Sequence, residues 1–438
     1  MIEKVNKYLL VAFAFALPFK FNISSIIGFL LIFLFFIDFK NLKERIKIVF
    51  SNKLSLIVLS VFFIHLLGLL YTSNFKYALT DLEIKLPLFL FPIIIFSGIK
   101  IDFSILKKVF VSFISGCFLA SLFCIYNSYT HFLISADYKC FFYDGLSFFM
   151  HTSYFSMFLT FAQVLLFFLL IKSREGIKGF FINFSVIVLF TYFSLFILFL
   201  SSKAGIIVSL AAVFLLFLYY LLIKKDYWLS AVFPTVVLFI LIISPVIAPH
   251  AFKRFEITSN QVLQKNDNVV NNSDVNTNES MHLNSSKSND DVNSKEERLV
   301  IWKTAIKTAK KNPVLGVGTG DIKDELIKAY EKINFKNGII KKLNCHNQYL
   351  QFLMAFGLLG LICILFSFLY PLLNAFKTKD YIYLFFAFVF FANVLFESML
   401  ETKTGVEFFA FFNSLLIAFS MPIKNKLSKL SETKENTE

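Results

Sequence analysis

Chemistry that depends on clustered ligands has little to work with in this sequence. Cysteine occurs five times, at Cys117, Cys124, Cys140, Cys345 and Cys363. There is no Cys-x-x-Cys pair and no His or Cys cluster at ligand spacing, which argues against a zinc or iron–sulfur site. A nucleotide-binding glycine fingerprint is missing, and so is a carboxylate pair placed to hold a metal outside the Asn-rich tract described below. No metal and no cofactor are therefore expected. Only Cys140 and Cys345 fall where a disulfide could form, and free thiols are the plainer expectation. No small-residue cleavage site follows the first apolar run, which passes through Pro18, Phe19 and Lys20 straight into a second, so the first helix is expected to remain in the mature protein. Acidic residues are also scarce, 29 against 43 Lys and Arg for a formal charge of +14. That excess raises the question of a nucleic-acid partner, which the distribution of the charges answers.

What the sequence has instead is apolar length. It is 57% hydrophobic with a mean hydropathy of +0.70, whereas soluble chains run at about 45–50% apolar, so the bilayer is the expected solvent. Phenylalanine is abundant at 61 residues, and its bulk is expected to face lipid. Apolar windows of spanning length predict helices over 5–19, 23–39, 54–71, 84–99, 109–133 and 154–171. A second set is predicted over 180–200, 204–223, 228–247, 349–370, 381–400 and 406–421. The first two could instead form a hairpin. The predicted fold is an all-α integral membrane protein with about twelve transmembrane helices and one large periplasmic loop between helices 9 and 10.

The basic residues follow topology. With the N-terminus cytoplasmic, alternate connections carry Lys and Arg in a ratio of about three to one over the opposite set. Both termini are then cytoplasmic, the host membrane is expected to be a bacterial inner membrane, and no nucleic-acid partner is needed. The chain divides into helices 1–9 over 1–249, a periplasmic loop over 250–347, helices 10–12 over 348–423 and a cytoplasmic tail over 424–438. Within the loop, residues 259–297 are Asn- and Ser-rich and cannot bury enough surface to order, so they read as a disordered insertion. Triplets such as Asn278 to Ser280 would accept glycans only in a eukaryotic secretory setting. Residues 298–312 change character. Leu299, Trp302, Ala305, Ile306 and Ala309 recur at helical spacing before Pro313, which predicts an amphipathic helix lying on the membrane or on the bundle.

Polar residues gather around that loop. Gly316, Gly318 and Gly320 form a turn that lets backbone approach something closely, and a plain connecting turn is the simplest reading, with phosphate contact the alternative. His346 and Asn347 stand where the loop re-enters the membrane. An imidazole there could serve as general acid, general base or phosphate contact, and alone it could equally be a satisfied structural residue. His65, inside the third predicted span, is open between a buried hydrogen-bonded residue and a functional one. Glu397 and Glu401 lie at the outer end of a late helix, where they could face a cavity or pair with Lys403 or another loop base.

The stretch from Arg298 to Gly360 joins an Arg and a Trp on an amphipathic helix, then NPVLGVGTGD, then CHNQYLQFLMAFGLLG. It resembles the C-terminal signature of the O-antigen ligase and polymerase superfamily. HTSYFSMFLTFA from His151, KLPLFLFP from Lys85 and FESMLETKTGVEFFAFF from Phe396 are similar to further motifs of that superfamily, so the resemblance covers most of the chain. It implies a glycosyltransferase that moves a glycan from a polyprenyl diphosphate carrier to an acceptor hydroxyl at the periplasmic face, with inversion at the anomeric carbon and no metal. His346 would be the base. Arg298, with Lys203 or Arg254, would hold the diphosphate, and Asn347, Tyr154, Trp302, Glu397 and Glu401 would line the substrate cavity. The superfamily commonly has Arg in a Ser-Arg-small pattern where this chain has Lys203, a substitution that keeps the charge and loses the bidentate fork. For Arg254, ordinary lipid-headgroup contact is the competing reading. A ligase acting on lipid A core is favoured, with a polysaccharide polymerase and a protein glycosyltransferase as alternatives. A transporter of lipid-linked glycans is the non-enzymatic alternative, but the chain shows no internal repeat and its polar residues collect at one face.

Overall fold

The computed structural model describes residues 2–19, 23–37, 39–170, 176–225, 227–247 and 293–420. These residues form helices and turns, and no strand occurs among them. The first half comprises α1 (Ile2–Ala16), α2 (Ile23–Ile37), α3 (Phe39–Ser51), α4 (Lys53–Gly68), α5 (Phe75–Lys85), α6 (Pro87–Phe96) and α7 (Phe103–Ser135). Next come α8 (Thr152–Leu170), α9 (Gly176–Phe199), α10 (Lys203–Leu218) and α11 (Tyr227–Ile247). The last part holds α12 (Asn293–Ala309), α13 (Ile322–Lys332), α14 (Lys336–Lys341), α15 (Gln348–Thr378), α16 (Tyr381–Asn393) and α17 (Lys403–Ser420). Arg254, the Asn- and Ser-rich tract up to residue 292 and the tail from residue 421 lie outside the described residues.

Each apolar run of the sequence overlaps a helix. Four helices are long and apolar enough to cross a membrane by themselves: α7, α8, α10 with the π turn that extends it, and α15. Counting α2 and α3 as one bent span gives up to five. The run over 84–99 is divided, because Pro87 starts α6 and leaves α5 to end at Lys85. A proline in the first turn gives up only an amide that has no partner inside the helix.

The expectation that phenylalanine faces lipid needs correction. Rings such as Phe29, Phe33, Phe214 and Phe239 are exposed, but Phe113, Phe155, Phe158, Phe161, Phe386, Phe408 and Phe412 are fully buried. They interlock α7, α8, α16 and α17, with Phe158 stacked on Phe408 at 4.5 Å between centroids and Phe390 on Phe409 at 4.4 Å. The apolar membrane gives helices no hydrophobic reason to associate, so packing of this kind and interhelical hydrogen bonds must supply the attraction. Gln163 of α8 supplies two such bonds, donating to Ser194 of α9 at 2.7 Å and accepting from Ser209 of α10 at 3.2 Å.

The segment from Pro313 to Asp321 explains an interruption in α15. That helix is broken at Gly357, whose φ of +60° and ψ of −150° belong to glycine alone. The freed amides of Leu358 and Leu359 donate to the carbonyls of Pro313 and Val314 at 2.8 and 3.4 Å, and the freed carbonyls of Met354 and Ala355 accept from Val317 and Gly318 at 2.9 and 2.8 Å. Unpaired backbone groups in an apolar membrane cost on the order of several kcal/mol each, so a broken helix is stable only where another segment takes up its bonds. A Cβ on Gly316 would collide with the backbone of Ala355, and one on Gly357 with the backbone of Val314. The glycine run is therefore a backbone dock. Asp321 completes it, accepting from the amides of Ser73 and Asn74 at 2.6 and 2.7 Å.

Candidate functional site

One end of the bundle collects the termini of α4, α7, α8, α10, α15, α16 and α17 together with α12–α14. Helix α12 packs on α15. It buries Ile301, Thr304, Ala305, Thr308 and Ala309, while Leu299 and Ile306 remain exposed and Trp302 is half-buried. The helix thus lies on the bundle, with its buried stripe turned from the one the sequence suggests. Asn337 of α14 fixes its first turns by donating to Glu297 at 2.6 Å.

At this end His346 and Glu397 meet. His346 has a left-handed φ of +44° and directs Nδ1 between the two carboxylate oxygens of Glu397, at 3.0 and 3.1 Å. An ionised carboxylate only accepts, so Nδ1 carries a proton, and Nε2 offers a lone pair whenever the ring is neutral. Glu397 is pulled toward both charge states. Burial, the largest single influence, pushes its carboxyl up, but the hydrogen bond and charge of His346, followed by the charges of His151 and Arg298, outweigh burial and hold it below the usual glutamate value. His151 and Arg298 therefore lie within electrostatic reach of the pair. Arg298 is half-buried on α12, and His151 is exposed at the start of α8.

The pair is possible because α16 ends at Asn393, well short of Leu400. Asn347 caps α15 by accepting from the amide of Leu350 at 3.0 Å, and it donates through Nδ2 to the carbonyl of Leu395 at 3.0 Å and through its amide to Ser398 Oγ at 3.2 Å. Gln348 donates from its amide to the carbonyl of Val394 at 2.9 Å and accepts from the amide of Leu400 at 2.7 Å. These bonds draw residues 394–400 out of a helix and across the end of α15. Tyr154 adds a weak bond at 3.4 Å to the carbonyl of Ser398.

Glu401 belongs to a different cluster. One oxygen accepts from Gln348 at 3.1 Å and the other pairs with Lys85 at 3.2 Å. Lys85 also pairs with Asp81, one turn earlier on α5, and is only 1% exposed. His65 is buried within electrostatic reach of Lys85 but hydrogen-bonded to neither cluster, with Nδ1 donating to the carbonyl of Val61 at 2.6 Å and its ring set edge-on to Phe352 and Phe356. Cys140 donates to the carbonyl of Ser128 and Cys345 lies against Met354, and the two are free thiols. No group of His, Cys, Asp and Glu suited to a metal ion occurs among the described residues.

Residues 187–365 match the model of the O-antigen ligase family. This match supports a likeness of the chain to the O-antigen ligase-like superfamily. No curated protein matches it. The matched stretch contains Lys203, Arg298, Trp302, His346 and Asn347 but stops before Glu397, so the carboxylate that engages His346 comes from outside it. The family match and the apolar helices together support a multi-pass membrane protein of the O-antigen ligase and polymerase type in general.

Of the residues singled out from sequence, His346, Glu397 and Arg298 converge. Tyr154 and Asn347 hold the segment that carries Glu397, and Trp302 sits on the same helix as Arg298. Lys203 opens α10 beside Ser202, whose hydroxyl is 3.4 Å from that of Ser153 on α8. Glu401 is tied to Lys85, and Arg254 is outside the described residues. His151 and Lys85 were visible in sequence only as first residues of motifs. Nothing in their local spacing marks one as a neighbour of Glu397 and the other as the buried cation of a triad.

Proposed function

We propose that the chain is an inverting, metal-independent glycosyltransferase that moves a glycan from a polyprenyl diphosphate carrier to an acceptor hydroxyl, most consistently with an O-antigen ligase acting on lipid A core. The observation that carries this reading is the His346–Glu397 pair with Arg298 in electrostatic reach. Glu397 fixes the imidazole with its basic nitrogen free. The acceptor oxygen attacks the anomeric carbon, its proton passes to His346 Nε2, and the bond from that carbon to the carrier diphosphate breaks on the opposite face. The bond electrons leave with the diphosphate, whose growing charge Arg298 stabilises, with Lys203 and Arg254 as further cations. The end of the bundle that holds α12–α14 is then periplasmic, both termini are cytoplasmic and the membrane is the bacterial inner membrane.

The test replaces the chromosomal copy with His346→Ala or Arg298→Ala and compares lipopolysaccharide and membrane protein level. Normal protein with truncated lipopolysaccharide and accumulated carrier-linked polymer is the expected result. A single capped repeat would instead identify a polymerase, and an unchanged profile at normal protein level would sink the assignment of both residues. Activity that disappears in chelator and returns with a divalent metal would overturn metal independence.

A further inference from the structure

A cavity of about 900 Å³, which His346 does not line, lies between the turn after α4, the loop that docks into α15 and the start of α13. That volume lies within the range of ligand pockets, roughly 300–1,000 Å³. Its lining combines apolar and charged groups. Tyr71, Val314 and Leu315 supply apolar groups, with Val314 and Leu315 more than half exposed and the Tyr71 hydroxyl donating to the carbonyl of Leu315 at 2.7 Å. Lys311, Asp324, Glu325 and Lys328 add charged hydrogen-bonding groups, Lys328 being paired with Glu325 at 2.8 Å. Pro313, Gly316 and Val317 of the backbone dock also line the cavity, a fixed surface because each side of the dock takes up hydrogen bonds freed by the other.

A sugar ring has apolar C–H faces and a rim of hydroxyls, and a pocket whose lining combines an aromatic ring and aliphatic groups with charged donors and acceptors can meet both. Tyr77 links the cavity electrostatically to the Lys85 cluster. Tyr77, on the first turn of α5, lies within electrostatic reach of Asp324 in the cavity and of Glu401, Asp81 and Lys85. Glu401 in turn sits on the stretch that carries Glu397. We propose that this cavity is a glycan subsite that holds the donor polysaccharide at sugars remote from the reacting end. This rests on the glycosyltransferase reading for the identity of its ligand. Binding energy from such a subsite would favour long chains over single repeats.

The cavity can be filled without touching the reacting groups, because Val314 contributes its carbonyl to the dock and its side chain to the cavity. Purified protein in lipid nanodiscs is assayed with polyprenyl diphosphate donors bearing one repeat or many, using wild type, Val314→Trp and the double variant Lys311→Ala with Glu325→Ala. The expected result is a KM raised about tenfold for the long donor, with kcat held and the one-repeat donor changed less than about twofold. Equal changes for both donors, or none, in protein that transfers normally would overturn the subsite. Carrier-free polysaccharide, released by mild acid, separates this from failure of the functional reading. Binding to wild type but not to Val314→Trp supports the subsite even if no transfer is found, and absence of binding to wild type overturns it. Loss of a co-purifying phospholipid in Val314→Trp with polysaccharide binding unchanged would assign the cavity to lipid and overturn the proposal as well.

Discussion

Glu397 and Glu401 stand on the same short stretch between α16 and α17, yet they are held in opposite ways. Glu397 faces a histidine whose side chain is 25% exposed, with a second histidine and an arginine nearby. Glu401 faces a lysine that is 1% exposed and already paired with Asp81. The first arrangement leaves a ring nitrogen free to meet a substrate. The second uses every charge it has on its own members. Between them, Gln348 bonds to Glu401 through its side-chain amide and to Leu400 and Val394 through its other polar groups, so the closed cluster sets the position of the open one.

If the lysine cluster is structural, breaking it should cost the fold before it costs chemistry. Lys85→Met would leave Asp81 and Glu401 buried without their cation, and removing one partner of a buried pair typically costs about 3–5 kcal/mol. A sharp fall in the amount of folded protein, seen by fluorescence-detected size exclusion of detergent extracts, is the expected outcome. Normal folded protein with activity lost would move Lys85 into the reacting site and erase the contrast.

Glu397→Gln should do the reverse. The amide can donate to Nδ1 as readily as accept, so the proton is free to move to Nε2 and the base is lost. Folded protein at the wild-type level with transfer reduced by roughly 10²- to 10⁴-fold, the scale of a general base, is expected from single-turnover rates. Transfer within threefold of wild type would show that His346 needs no carboxylate to orient it.

How much of this was legible beforehand follows from the range over which each feature is encoded. Helices were readable because apolarity over a dozen or more residues in one stretch is a local property, and each apolar run overlapped at least one, although only four or five are long enough to span by themselves. Where α16 stops was not. Nothing in VLFESML opposes a helix strongly. The segment is turned aside by Asn347 and Gln348, which come from another part of the chain. The break at Gly357 was hidden in the same way, since a glycine inside an apolar run usually continues the helix, and only the paired backbone of Pro313 to Gly318 makes the interruption stable. The glycine run itself could be read as needing close backbone approach, but not what it approaches. At the site, His346, Glu397 and Arg298 were each conspicuous for being polar beside a membrane. Their convergence was not, because the contact between His346 and Glu397 leaves no periodic trace in sequence.

The smallest expected effect separates the two clusters by pH. Burial, with the negative charge of Glu401 behind it, raises the Asp81 carboxyl from 3.8 to about 6 against the opposing pull of Lys85. A carboxyl raised in the folded state binds a proton there before it does in the unfolded chain, so as pH falls from 7 through about 6 the folded protein gains stability relative to the unfolded one. Glu397 runs the other way. Its carboxyl is held below the ordinary 4.5, so its contribution is present above 4.5 and is lost as pH falls through its lower folded value. Thermal unfolding of detergent-solubilised protein between pH 7 and pH 3.5 should therefore show a rise near pH 6 that Asp81→Asn abolishes and a fall below 4.5 that Glu397→Gln softens. If Glu397→Gln removes the rise, or Asp81→Asn the fall, the two carboxylates do not answer to separate environments, and the distinction between an open pair and a closed cluster fails.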